Sequence, residues 1–180
     1  VSAAWRISSE EFLKGIELFH DLKLRASYGT NGNLPSGYYS YQGQFSTSSA
    51  YNGDKAYVWS NLANPTLGWE KSASFNVGLD WNLYGRLGIT VEYYNKLTKD
   101  LLFEMPTSYV TGFGSKMSNI GNLRNSGFEI TLNSINIRNK NFSWETDFNI
   151  TFQKNIVVSL PNHEDVLYGH DDMYLLREGE

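Results

Sequence analysis

The chain has 180 residues, no cysteine and a net charge of −4, which excludes disulfides, cysteine–zinc centres and a thiol nucleophile. Aromatic residues make up 15% of it and charged residues only 19%. That excludes a disordered chain, and the acidic balance excludes a nucleic-acid partner, which demands a basic face. Mean hydropathy is −0.41 and no run of about 18–20 apolar residues occurs, so helical membrane spans are excluded. Barrel strands, which hide apolar side chains in alternation, are not.

In chain order, Val1–Arg6 reads as a strand. Ser8 and Glu11 then have the spacing of a capping box, which predicts one or two helical turns. Leu22–Gly29 alternates again. A long loop from about Gly29 to Leu67 follows, rich in Gly, Ser, Asn and Tyr, with a hairpin turn predicted at Tyr51-Asn52-Gly53-Asp54. A strand is predicted at Trp69–Tyr84, where from Trp69 to Leu83 the odd positions are apolar apart from Lys71 and the even ones polar or small. Tyr84-Gly85-Arg86 turns the chain into a return strand, Leu87–Phe103.

After a loop at about Glu104–Ser118, strands are predicted at Asn119–Ile137 and Phe142–Asn155, joined by Arg138-Asn139-Lys140-Asn141. The apolar parity changes between Leu132 and Ile135, which predicts a β-bulge near Ser134. Everything after Asn155 reads as loop. Val1 opens directly into a strand and Glu180 closes a loop, so the expectation is a segment of a longer chain, incomplete at both ends. The absence of a leader then carries no information about compartment.

These strands are longer than the ~5–6 residues usual in globular sheets and the ~9–11 that a tilted membrane strand needs. Trp69 and Trp81 are twelve residues apart on one face, roughly 40 Å along a strand. Tilted by about 40°, that distance projects to roughly 30 Å, close to an apolar band between aromatic girdles. Short turns alternate with long loops, as in outer-membrane barrels. The fold class is therefore read as all-β, an antiparallel transmembrane β-barrel segment of about six strands. Phe75, Val77, Leu79, Trp81, Ile89, Val91, Phe148 and Ile150 are expected to face lipid. The alternative is a soluble β-sandwich, a carbohydrate-binding module using its loop aromatics.

Several stretches carry a family resemblance: Leu22-Lys23-Leu24-Arg25-Ala26-Ser27-Tyr28-Gly29, Asn64-Pro65-Thr66-Leu67-Gly68-Trp69-Glu70-Lys71, Val77-Gly78-Leu79-Asp80 and Tyr93-Tyr94-Asn95-Lys96. Thr98-Lys99-Asp100-Leu101-Leu102, Asn119-Ile120-Gly121, Asn125-Ser126-Gly127-Phe128-Glu129, Phe142-Ser143-Trp144 and the final Arg177-Glu178-Gly179-Glu180 continue it in the same order. Together they resemble the later part of the barrel in the SusC/RagA family of TonB-dependent outer-membrane transporters. The resemblance implies that residues 1–180 are part of one roughly 22-stranded, plugged barrel domain in the bacterial outer membrane. It also implies a SusD-like surface lipoprotein partner, energy from the TonB system, and oligosaccharide or peptide import. The plug and the TonB-contacting motif would lie outside these residues. No cofactor is implied.

Within the long loop, Tyr38, Tyr39, Tyr41, Tyr51, Tyr57 and Trp59 form an aromatic set suited to stacking on sugar rings or contacting peptide side chains. The same residues would also serve to pack the loop on itself. His163-Glu164-Asp165 with His170-Asp171-Asp172 brings carboxylates and imidazoles together, but in no standard metal-loop order, so no metal is expected. Gly112-Phe113-Gly114-Ser115-Lys116 lacks the P-loop spacing, and no nucleophile elbow or zinc-protease motif is present, so no enzyme is expected. Glu92, Glu129, Glu145 and Asp147 fall on polar strand faces, where a hydrated lumen accounts for them.

Overall fold

The computed structural model describes residues 1–13, 16–169 and 173–180. Ten strands are present among them: β1 (Ser2–Arg6), β2 (Asp21–Asn33), β3 (Phe45–Tyr51), β4 (Asp54–Trp59), β5 (Glu70–Leu83), β6 (Leu87–Pro106), β7 (Ser115–Arg138), β8 (Ser143–Ser159), β9 (Val166–Tyr168) and β10 (Tyr174–Leu176). The six predicted strands form one sheet in the order β1-β2-β5-β6-β7-β8, a meander with the β3–β4 ribbon inserted between β2 and β5. A sandwich needs two such sheets face to face. Here the remaining strands make only two-stranded ribbons, β3–β4 and β9–β10.

Four expectations are corrected. The helical turns are a single 3-10 turn at each of Ile7–Ser9 and Glu17–Phe19, and no capping box forms at the first. Ser8 instead donates its hydroxyl to the Asp21 carboxylate, 3.3 Å away, at the start of β2. The loop before β7 is short because Thr107 N–H reaches Gly114 C=O and a turn at Tyr109–Thr111 closes on Gly112 at φ 81. Alternation carries through Ser134 without changing faces: Asn133 bonds Asp147 while Asn136 bonds Thr146, so odd and even positions keep their opposite sides. Ile135 and Ile137 thus share the side of Asn133.

The fourth correction is the region after Asn155. β8 runs on to Ser159, and the chain returns so that Gly179 N–H meets Val157 C=O and Val157 N–H meets Glu180 C=O. Short apolar runs there are invisible as periodicity, because each contributes one side chain to a core assembled across segments.

The chain divides into two compact units. The first comprises residues 1–30, 73–97 and 125–155. Its turn at Tyr84-Gly85 has both residues at positive φ, 52 and 64, the type I′ geometry that matches strand twist. The second comprises residues 31–72, 98–124 and 156–180. Its β3–β4 hairpin uses the predicted Asn52-Gly53 turn, with φ 51 and 88. The buried apolar side chains Ile120, Val157, Leu160 and Val166 cluster in this unit, with Phe103, Met105, Leu123 and Leu176 packed against them. Gly121 lies there at φ 44 directly against the Ser159 carbonyl, where any Cβ would collide with backbone.

Candidate functional site

The first unit has two chemically distinct faces. On one, Arg25 of β2 reaches Asp80 of β5 at 3.3 Å and Glu92 of β6 at 2.7 Å. Its guanidinium lies over Gly78, where a Cβ would stand 2.8 Å from Nε, so glycine provides the seat. Asn76 donates to the Ser27 hydroxyl at 3.1 Å and Thr90 to Asp80 at 3.3 Å on the same face. On β7 and β8, Asn133 donates to Asp147 at 2.6 Å. Small side chains and one cation shared by two carboxylates make this a wall suited to water or to polar protein.

Because side chains alternate, the odd positions of β5 and β6 must point the other way. Phe75 is 44% exposed and Phe148 50%, while Val77, Leu79, Ile89 and Val91 are half-buried by their own neighbours. Ile150 is exposed as well. Tyr93 packs on Phe128 with ring centroids 4.9 Å apart, which fixes odd β6 and even β7 positions to this face. Trp81 differs from the rest of its expected set. Its ring stacks on Phe19 at 5.7 Å and its indole N–H donates to Leu18 C=O at 3.1 Å. It is an amphipathic residue with its polar end satisfied at the end of the strand.

The loop aromatics in the second unit fall into two groups. Tyr38, Tyr39 and Tyr41 line a depression of about 460 Å³ with Leu34, Leu67 and Trp69. All three tyrosines are exposed. Tyr57 and Trp59 lie on β4, where Trp59 packs on Phe45 at 3.9 Å and covers Gly43. Tyr57 is exposed on the ribbon, as is Tyr51 at its turn. The expected set is thus not one site: Tyr38, Tyr39 and Tyr41 converge, and Tyr57 and Trp59 belong to the hairpin.

Trp69 completes the depression, although its spacing reads as a girdle residue. It stands one position before β5, at the loop's end, over Gly32. Asn64 is the other residue that periodicity misses. It is only 6% exposed, donates to Met117 C=O at 2.9 Å and accepts from the Thr66 hydroxyl at 2.8 Å. Its signal in the sequence is Asn64-Pro65-Thr66, a turn-forming run in which an Asx side chain caps the backbone two residues on.

The acidic stretch is built of internal pairs. Arg177 reaches Asp165 through two nitrogens at 3.0 and 2.7 Å. That hydrogen bonding holds the Asp165 carboxyl below the usual carboxylate range and raises the Arg177 guanidinium. Glu178 is lowered too, first by the backbone N–H of Leu160 at 2.6 Å and then by His163 Nδ1 at 3.0 Å. His170, Asp171 and Asp172 lie outside the described residues. Among the described residues no group of three or more His, Asp or Glu side chains is arranged to hold a metal.

One six-stranded sheet whose last four strands run 14 to 24 residues, polar on one face and apolar on the other with loops at the strand ends, defines a segment of a large antiparallel β-barrel. The chain belongs to the TonB dependent receptor-like β-barrel family, whose model matches residues 1–171. It is 36% identical over 181 residues to TonB-dependent receptor P39 of Formosa agariphila, covering all of this chain and 17% of that protein. It is 33% identical over 177 residues to TonB-dependent receptor SusC of Bacteroides thetaiotaomicron, covering 93% of this chain and 18% of the relative. Among solved structures it matches the RagAB peptide transporter with a TM-score of 0.82 at 26% identity, over 99% of this chain and 20% of that one. The chain therefore spans a fifth or less of the length of the proteins it matches.

Proposed function

We propose that this chain is a wall of the outer-membrane barrel of a SusC-like transporter that imports an oligosaccharide or a peptide. The observation that carries the reading is the first unit's sheet: one face holds Arg25, Asp80 and Glu92, and the other presents Phe75, Phe128 and Phe148, exposed and without a second layer over them among the described residues. A barrel wall between a hydrated or plugged lumen and lipid needs that division. Six strands also leave β1 and β8 as open edges, which lipid cannot satisfy, so the working barrel needs further strands and residues 1–180 are one incomplete part of it.

On this reading Phe75, Val77, Leu79, Ile89, Val91, Phe148 and Ile150 face lipid, and Trp81 sits where its N–H is satisfied near the interface. The turns at 84–86 and 139–142 lie on the periplasmic side and the long loop outside. Tyr38, Tyr39 and Tyr41 contact substrate first, with Tyr57 and Trp59 on the hairpin meeting substrate or a SusD-like lipoprotein. Energy comes from the TonB system through other parts of the parent chain. The role asks for no catalytic residue and no cofactor. Membership of the TonB-dependent receptor family and likeness to a peptide transporter support it.

The test uses the full-length parent in its own outer membrane. Cells are offered a fluorescently labelled casein digest and labelled mixed oligosaccharides, with and without the gene. TonB-dependent uptake of either mixture that disappears with the gene is the expected result. Nitroxides at Val77 and Leu79 should be shielded from water-soluble relaxers. Strong relaxation at both would overturn the lipid-facing assignment.

A further inference from the structure

Three of the family-like stretches, far apart in sequence, meet at one place in the second unit. They are the run from Asn64 to Lys71, the run from Thr98 to Leu102, and Asn119 with its neighbours. At the centre is Asp100, which takes left-handed backbone at φ 55 inside β6. A regular ladder cannot continue through that geometry, and its polar groups need other partners. They have them. Asp100 C=O accepts from Asn119 Nδ2 at 2.9 Å, and Leu102 N–H donates to the Glu70 carboxylate at 3.3 Å. Lys71 Nζ lies 3.6 Å from the Asp100 carboxylate.

Asn119 does a second thing. Its Oδ1 accepts from Gly68 N–H at 2.6 Å while its Nδ2 donates to Gly68 C=O at 3.1 Å. One planar amide thus satisfies both backbone groups of Gly68, as a neighbouring strand would. Four residues earlier, Asn64 is fastened to β7 through Met117 C=O, and Asn64 N–H donates to Tyr41 C=O at 2.9 Å. The consequence concerns the aromatic depression. Tyr41 is held through Asn64, and Trp69 follows directly on Gly68, which Asn119 holds. Two walls of the depression are therefore tied to β7 by two asparagines.

We propose that Asn64 and Asn119 form a clasp that positions the long loop, fixing Tyr41 and Trp69 relative to each other so that the depression keeps its shape. They are positioning residues, acting through backbone, and touch no substrate. The inference rests on the reading of the loop tyrosines as substrate contacts only for its effect on uptake; the clasp itself is read independently.

The experiment uses the full-length parent in outer membranes with Asn119→Ala, Asn119→Asp and Asn64→Ala. Asn119→Asp keeps the acceptor for Gly68 N–H but loses both donors and sets a carboxylate against two carbonyl oxygens. Cleavage between residues 34 and 62 by added proteinase is measured on intact cells, with the boiling shift on gels reporting an intact barrel. The expected result is an unchanged shift with cleavage about tenfold faster or more in each variant, Asn119→Asp at least as fast as Asn119→Ala. Unchanged cleavage would overturn the clasp. Loss of the shift would also overturn it, because the residues would then found the barrel and not position a loop.

Uptake of whichever labelled mixture the wild type takes up separates this inference from the functional reading. A Tyr38→Ala, Tyr39→Ala double variant tests the tyrosines with the clasp intact. If it imports normally while the Asn119 variants free the loop, the substrate role of the tyrosines fails and the clasp stands. If it is impaired, the clasp variants should raise the half-saturating concentration and leave the maximal rate unchanged. Normal uptake by clasp variants with a freed loop would then overturn their positioning role.

Discussion

In the unit made of residues 1–30, 73–97 and 125–155, large apolar side chains stand exposed along one side of the strands, Phe75, Phe128 and Phe148 among them. In the unit made of residues 31–72, 98–124 and 156–180, Ile120, Val157, Leu160 and Val166 are buried under chain that folds back over the strands. The first is regular and, on the proposed reading, is covered by lipid. The second departs from regularity at Asp100 and Gly121 and makes its own core. A β wall can thus be stabilised by a solvent or by itself, and the two kinds of region should respond to opposite perturbations.

The sharpest test compares two adjacent residues of β8. Phe148→Arg places a charge on the face proposed to meet lipid and is expected to cost about 2–4 kcal/mol near mid-membrane. Asn149→Arg, on the other face, is expected to cost about 0–1 kcal/mol, since lumenal positions tolerate polarity. Urea titration of the parent barrel in lipid vesicles measures both. Equal costs would break the distinction between the faces.

The second unit should be sensitive where the first is not. Gly121→Ala adds a methyl group against the Ser159 carbonyl at a backbone angle that favours glycine, and about 2–4 kcal/mol of destabilisation is expected. Gly29→Ala, in the first unit, has no atom within 4 Å of its new Cβ and should change stability by less than about 1 kcal/mol. The same vesicle titration reads both. A tolerated Gly121→Ala would mean that β7 and the Ser159 region can separate without loss.

What was legible in the sequence follows the same division. β5 and β6 were readable because alternation extends over many residues and each face needs only one chemistry, as Phe75, Val77 and Leu79 against Asn76, Gly78 and Asp80 illustrate. The extension of β6 past Phe103, the β9–β10 ribbon and the core at Ile120 were not, since those segments each contribute one or two apolar residues to a shared cluster. The candidate site was half legible. A crowd of loop tyrosines is visible as composition, but their separation into a depression and a hairpin is not, and the proposed clasp of Asn64 and Asn119 uses polar residues bonded to partners about fifty residues away.

A smaller effect is expected from the polar face of the first unit. Arg25→Met removes the one cation between Asp80 and Glu92 while keeping much of the side-chain volume. All three are a quarter to two-fifths exposed, so the cost is discounted to about 1–2 kcal/mol. Adding Asp80→Asn to Arg25→Met should recover part of that loss. An additive double variant would show that the carboxylates do not repel each other there, and that water already screens them.

The smallest effect should be local and driven by acid. Asp165 and Glu178 both have carboxyls below their ordinary range in the folded chain, because Arg177 bonds the first, and Leu160 N–H and His163 the second. A depressed folded value means that the stabilisation is complete above the unfolded carboxylate range, about pH 4, and is lost as pH falls through the lower folded values. Loosening should therefore begin at or below about pH 4, and not near neutrality. A nitroxide at Leu175 should sharpen in its spectrum over that range while one at Thr146, in the first unit, stays unchanged. With Asp165→Asn and Glu178→Gln together, the Leu175 signal should be mobile already at neutral pH and lose its acid response. A wild-type transition centred between pH 6 and 7 would assign the switch to a different group and detach these carboxylates from the fastening of the C-terminal ribbon.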